Sequence, residues 1–115
     1  MQIEIVGRDT TVDDEIRQQV AKRFGRLGRQ VSEGARLEIV LREEANPSIK
    51  EKCVAEATLW ERKVTLHAEE RSPLMRQSIK ALSLDMSRQV KRHRELSRKR
   101  SATRRLVGRM RGREA

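Results

Sequence analysis

From residue 76 to residue 98, cations and hydroxyls recur at steps of four and three: Arg76, Lys80, Ser83, Ser87, Lys91, Arg94 and Arg98. On a helix that spacing draws one stripe, basic at both ends and hydroxylic in the middle. Arg88 and Arg92 carry the charge further round. Guanidinium and ammonium groups neutralise phosphates, and serine hydroxyls donate to phosphate oxygens or ribose hydroxyls. A solvated helix face commonly interleaves Glu with Lys, whereas the stretch from Arg88 to Arg113 holds Glu95 as its single acid. The preference for Arg over Lys suits bidentate phosphate contact and stacking on bases.

The rest of the chain sharpens this signal. Between Met1 and Ser87 there are 15 basic and 15 acidic side chains; from Arg88 to Ala115 there are 12 basic against 2 acidic, so the formal charge of +10 lies in the last quarter. A neutral body ending in an arginine-rich extension is suited to a polyanion, with a phosphate backbone the expected one.

Other chemistry is poorly supplied. Phe24 and Trp60 are the only aromatics, which argues against base stacking on several rings. The sole cysteine, Cys53, excludes an internal disulfide and a cysteine-ligated zinc site, and it alternates with inward-facing residues as a core thiol would. His67 and His93 share no ligand spacing with it, so neither a metal site nor a cofactor is expected. Asp13-Asp14-Glu15 reads as a helix start and Glu69-Glu70 as a strand end, so neither is taken as a catalytic pair. With no Gly-rich phosphate loop or nucleophile elbow, the chain is not expected to be an enzyme. No apolar run approaches the roughly 20 residues of a membrane span, and the start lacks a signal peptide's pattern, so the expected location is the cytoplasm.

A chain of 115 residues holds one small core, with roughly 65% of the unfolded surface buried. Gln2 to Gly7 reads as a strand with Ile3 and Ile5 on one face, broken by Gly7. Thr11-Val12-Asp13-Asp14 matches a capping box, followed by a helix with Val12, Ile16, Val20, Phe24 and Leu27 in register. Lys22, Arg23, Arg26 and Arg29 lie off that apolar stripe. Arg36 to Arg42 alternates with Leu37, Ile39 and Leu41 inward. Lys52 to Leu59 places Cys53, Ala55, Ala57 and Leu59 opposite Val54, Glu56 and Thr58. After a turn near Trp60-Glu61-Arg62, Val64, Leu66 and Ala68 mark a fourth strand. Ser72-Pro73 then signals a helix start, serine as N-cap and proline at the first position. Met75, Ile79, Leu82, Met86 and Val90 form its apolar stripe, and its end is expected between Leu96 and Arg100.

The order β-α-β-β-β-α gives an α+β fold: a four-stranded mixed sheet, the first two strands parallel, with both helices on one face. The domain is expected over residues 1–100, with 101–115 a basic tail that is disordered when alone.

Several segments carry a resemblance to a family. Met1-Gln2-Ile3-Glu4-Ile5-Val6-Gly7-Arg8 resembles the first strand of the bacterial ribosome hibernation-promoting factors, also called ribosome-associated inhibitors or subunit-interface proteins. Asp14-Glu15-Ile16-Arg17 through Val20, and Lys22 to Leu27, are similar to the family's first helix. His67-Ala68-Glu69-Glu70 with Met75 and Ile79 resembles its junction from fourth strand to second helix. Arg88-Gln89-Val90 with Arg92-His93-Arg94 resembles its basic helix ending. The likeness covers about Met1 to Arg100 and looks like a short form.

The resemblance implies binding to the small ribosomal subunit and its ribosomal RNA, in the channel used by messenger and transfer RNA at the A and P sites. It implies inhibition of translation under stress or in stationary phase. The RNA contacts it implies are Lys22, Arg23, Arg26 and Arg29 on the first helix, and Lys80, Arg88, Lys91, Arg92 and Arg94 on the second. Leu74-Met75-Arg76 stands where the family usually has Asp-Met-Tyr, so a phosphate contact by Arg76 replaces whatever the tyrosine does. A tyrosine and a phenylalanine common in the family are also missing around Gln30-Val31. The alternative on charge and fold alone is a general double-stranded RNA or nucleoid DNA-binding protein.

Overall fold

A computed structural model describes the backbone of residues 1–114 and side chains through Gly108. The chain runs β1 (Gln2–Arg8), α1 (Asp14–Phe24), a 3-10 turn (Leu27–Arg29), β2 (Arg36–Glu43), β3 (Cys53–Glu61), β4 (Val64–Ser72) and α2 (Met75–Glu114). The strands lie in that order, β1 and β2 parallel and the later pairs antiparallel. This is the mixed sheet that the alternating sequence pattern predicts.

Alternation fixes which face is buried. Leu37, Ile39 and Leu41 of β2 and Ala55, Ala57 and Leu59 of β3 point under the helices with essentially no exposure. Val20 and Phe24 from α1, and Ile79, Leu82, Met86 and Val90 from α2, close the core over them. Each large apolar side chain moved from water contributes about 1.5–3 kcal/mol. The β3 alanines present little bulk, so α2 can lie across β3 and β4 while packing beside α1.

Local chemistry departs from the sequence reading at the element ends. The cap of α1 is Asp13, whose carboxylate accepts from Ile16 N–H at 2.9 Å, in place of the expected Thr11. A carboxylate there also meets the positive helix terminus, which a neutral hydroxyl does not. Leu27 reaches the core from the 3-10 turn, since α1 already ends at Phe24. Gly7 remains within β1; a Cβ there would meet Thr10 O at 2.7 Å and Val12 Cγ2 at 2.8 Å, so glycine lets the chain fold back tightly. Trp60 and Glu61 belong to β3, and the turn falls at Arg62-Lys63, where Lys63 has φ 69°. Ser72 ends β4, so α2 starts at Met75, later than the Ser72-Pro73 signal implies. The Ser72 hydroxyl is instead 2.6 Å from that of the buried Ser78, which donates to Cys53 O at 2.7 Å.

The largest departure is the length of α2. It continues to Glu114, well past the end expected between Leu96 and Arg100. Residues 96–107 are mostly Arg, Lys, Leu and Ala, all good helix formers, with no Gly or Pro to stop them. Among the described side chains Val90 is the last buried one; every residue from Arg94 to Gly108 is exposed. Forty residues of helix span about 60 Å, which accounts for a molecule 70 Å long and 28 by 17 Å across.

Candidate nucleic-acid interface

The two sides of the sheet treat their charges differently. On the side away from the helices, Arg42 and Arg71 sit among Glu44, Glu56 and Glu69. Arg42 reaches Glu44 at 2.8 Å and Glu69 at 3.5 Å, and Arg71 reaches the same two at 3.0 and 3.3 Å. Hydrogen bonds from Arg71 and then Arg42 hold the Glu44 carboxyl below the ordinary carboxylate range. Arg36 stacks over Trp60, its guanidinium carbon 5.0 Å from the ring centroid. These cations already have partners.

The helical side is otherwise. Among the described residues, every ion pair within 4.0 Å involves Arg42 or Arg71, so the described cations of α1 and α2 have none. Lys22 lies in the last turn of α1, Arg26 just beyond it and Arg29 at the end of the 3-10 turn, all three exposed. Arg23 is half-buried, and its Nε is enclosed without a hydrogen-bond partner. Arg76, Lys80, Arg88, Lys91, Arg92 and Arg94 are all exposed along α2.

A groove gathers part of this set. Arg88, Lys91 and Arg94 line it with Arg98, Ser87, Leu84, Glu95 and, from the segment after α1, Gln30. Arg98, Leu84 and Gln30 were not among the expected contacts, though Arg98 stands on the stripe read from the sequence. Arg76 and Lys80 lie outside the groove, Arg76 about 18 Å up the helix from Arg88. One reading of the stripe is corrected: Ser83 is buried and donates to Lys80 O at 2.8 Å, so its hydroxyl is not offered to a ligand. Ser87, on the same stripe, does line the groove.

The remaining polar groups are structural in geometry. Burial, reinforced by the Glu43 charge, pushes the Cys53 thiol up, and its sulfur lies 3.6 Å from Pro73 O. His67 Nδ1 is 3.1 Å from Thr58 Oγ1 on the outer sheet face. Among the described residues no cluster of three or more His, Cys, Asp or Glu could hold a metal ion, and no helix is long and apolar enough to cross a membrane. What the exposed cationic face can do is bind phosphate.

The model of the family described as sigma 54 modulation protein / S30EA ribosomal protein matches residues 3–98. The chain belongs to this family. The S30EA match spans β1 through the basic part of α2, all of the packed body. Among solved structures, the chain is similar to the N-terminal domain of Thermus thermophilus Protein Y, with 26% identity and a TM-score of 0.68, covering 81% of this chain and 99% of that one. It shares its fold with a ribosomal subunit interface protein from Coxiella burnetii, at 17% identity and a TM-score of 0.70, covering 83% of this chain and 99% of the other. No curated protein sequence matches. The S30EA match thus covers residues 3–98, leaving the far part of α2 outside it.

Proposed function

We propose that this protein binds the small ribosomal subunit through ribosomal RNA, in the channel that messenger and transfer RNA use at the A and P sites. It blocks translation there under stress or in stationary phase, acting by occlusion in the cytoplasm with no bond made or broken. The carrying observation is the difference in pairing: Arg42 and Arg71 of the sheet are held by carboxylates, while Lys22 of α1 and Arg76, Lys80, Arg88, Lys91, Arg92 and Arg94 of α2 are exposed and in no ion pair. Membership of the S30EA ribosomal protein family supports the ribosome as the source of the phosphates. Lys22, Arg23, Arg26 and Arg29 contact RNA from one helix region, and Arg76, Lys80, Arg88, Lys91, Arg92 and Arg94 from the other.

Sedimentation with purified small subunits across a salt series tests the binding. Log K is expected to fall by about 0.7–0.9 per contacted phosphate for each decade of salt. Arg88→Glu, Arg92→Glu and Arg94→Glu together should abolish binding and inhibition in a translation extract while leaving the circular dichroism of the body unchanged. A flat salt response, equal competition by bulk duplex RNA or DNA, or wild-type inhibition by the triple variant overturns the proposal.

A further inference from the structure

Along its first five turns α2 carries charge on one side only. At roughly 100° per residue, Arg76, Lys80, Arg88, Lys91, Arg92 and Arg94 fall within an arc of about 160°. The opposite side holds Ile79, Leu82, Met86 and Val90 against the sheet. Such a helix can meet RNA on one side only.

Beyond Val90 the constraint disappears and the charge pattern changes with it. Taking Arg98 as zero, Lys99, Arg100, Arg104 and Arg105 fall at roughly 100°, 200°, 240° and 340°. No gap between neighbouring cations exceeds about 100° on that count, and all five residues are exposed. We propose that this extension of α2 enters an RNA cleft as an intact helix and is contacted by phosphates on more than one side. The proposal rests on the ribosomal-RNA reading above and adds a second, geometrically distinct binding element to it.

Two features favour RNA over a protein partner. Arg94 with Arg98, and Arg100 with Arg104, place like charges one turn apart, which weakens a free helix unless counter-charge surrounds it. An apolar seam for a partner helix is also interrupted: stepping from Leu96 meets Lys99, Arg100 and Thr103 before Leu106 and Val107. Phosphate around the whole circumference satisfies this segment, and a hydrophobic groove does not.

The test compares full-length variants for binding to purified small subunits across salt. Ala102→Pro keeps every cation but breaks the helix, and is expected to weaken binding about tenfold. Gly108→Ala, where an added Cβ meets nothing within 4 Å, should strengthen it about threefold. The paired changes Arg98→Ala with Arg105→Ala, and Arg100→Ala with Arg104→Ala, lie on opposite sides; each pair should lower the salt slope by about 1.4–1.8. Wild-type affinity for Ala102→Pro, or a silent Arg100/Arg104 pair, overturns the proposal. If the wild type ignores small subunits, the functional reading above has failed; the same series on protein-free small-subunit ribosomal RNA then decides this inference, by the same pattern or its absence.

Discussion

Glu61 at the end of β3 accepts two hydrogen bonds from Ser32, one from its backbone N–H at 2.9 Å and one from its hydroxyl. This ties the segment after α1 to the end of β3, near His93 of α2. Burial pushes the carboxyl up, but the Ser32 hydroxyl, the amides of Arg62 and Ser32 and the charge of His93 outweigh it, and the net displacement is downward. A carboxyl depressed by folding adds stability that is present above its unfolded pKa and is lost as pH falls through the folded value. Glu61→Gln should therefore cost about 1 kcal/mol near neutrality and flatten the acid limb of stability. Chemical denaturation of both proteins from neutral pH into the acid range measures it; parallel curves would refute the assignment.

Glu70 has the opposite sign. It lies on the helix-facing side of β4, and burial together with the nearby Asp85 carboxyl raises it above the ordinary carboxylate value, Arg88 opposing. The stability associated with its protonated form is complete below the unfolded pKa and declines as pH rises through the folded one. Glu70→Gln should stabilise the neutral-pH protein by less than about 1 kcal/mol, both groups being part-exposed and screened. Thermal unfolding at neutral and mildly acid pH should show the gain shrinking on acidification. A loss of stability at neutral pH would refute it.

Much of this architecture was legible because period-two patterning admits one solution. Leu37, Ile39 and Leu41 could only face the core together, and the Met75-to-Val90 stripe could only cover them. What escaped depends on neighbours the sequence does not name. Val54 stands on the outer face in the alternation yet has no exposure, because its register partners are Arg42 and Arg71, whose long stems flank it. Ser83 follows the polar stripe but lies at its core-side edge, where burial makes it bond Lys80 O. For the interface, the cation types and spacing were readable; which of them already had carboxylate partners was not, since Arg42 meets Glu56 and Glu69, and Arg71 meets Glu44, only across strands.

Ser78 offers a test of the junction between sheet and helix. Its buried hydroxyl satisfies the Cys53 carbonyl at 2.7 Å and meets Ser72 at 2.6 Å. Ser78→Ala removes the donor and leaves a buried acceptor unmet, at a cost of about 1–3 kcal/mol. Since the site is remote from the groove around Arg88, the loss should appear in the denaturation midpoint and not in the salt slope of RNA binding. A stable variant with weakened binding would mean that the Ser78 hydroxyl itself, and not only Arg76 and Lys80 beside it, serves the interface.

Arg42 and Arg71 separate local contact from total charge. Replacing both by alanine removes two of the protein's positive charges, as many as Arg88→Ala with Arg92→Ala would. If net charge governed affinity, the two double variants would behave alike. The salt slope, however, counts phosphates touched, and exposed charges separated by more than about 8 Å are largely screened at physiological ionic strength. Arg42 and Arg71 already neutralise carboxylates on the sheet face away from the helices. Their removal should lower stability, partly by uncovering Val54, while the slope stays at the wild-type value. Loss of both Arg88 and Arg92 should reduce that slope by about 1.4–1.8. Equal slopes for the two pairs would transfer the interface from the helices to the whole surface.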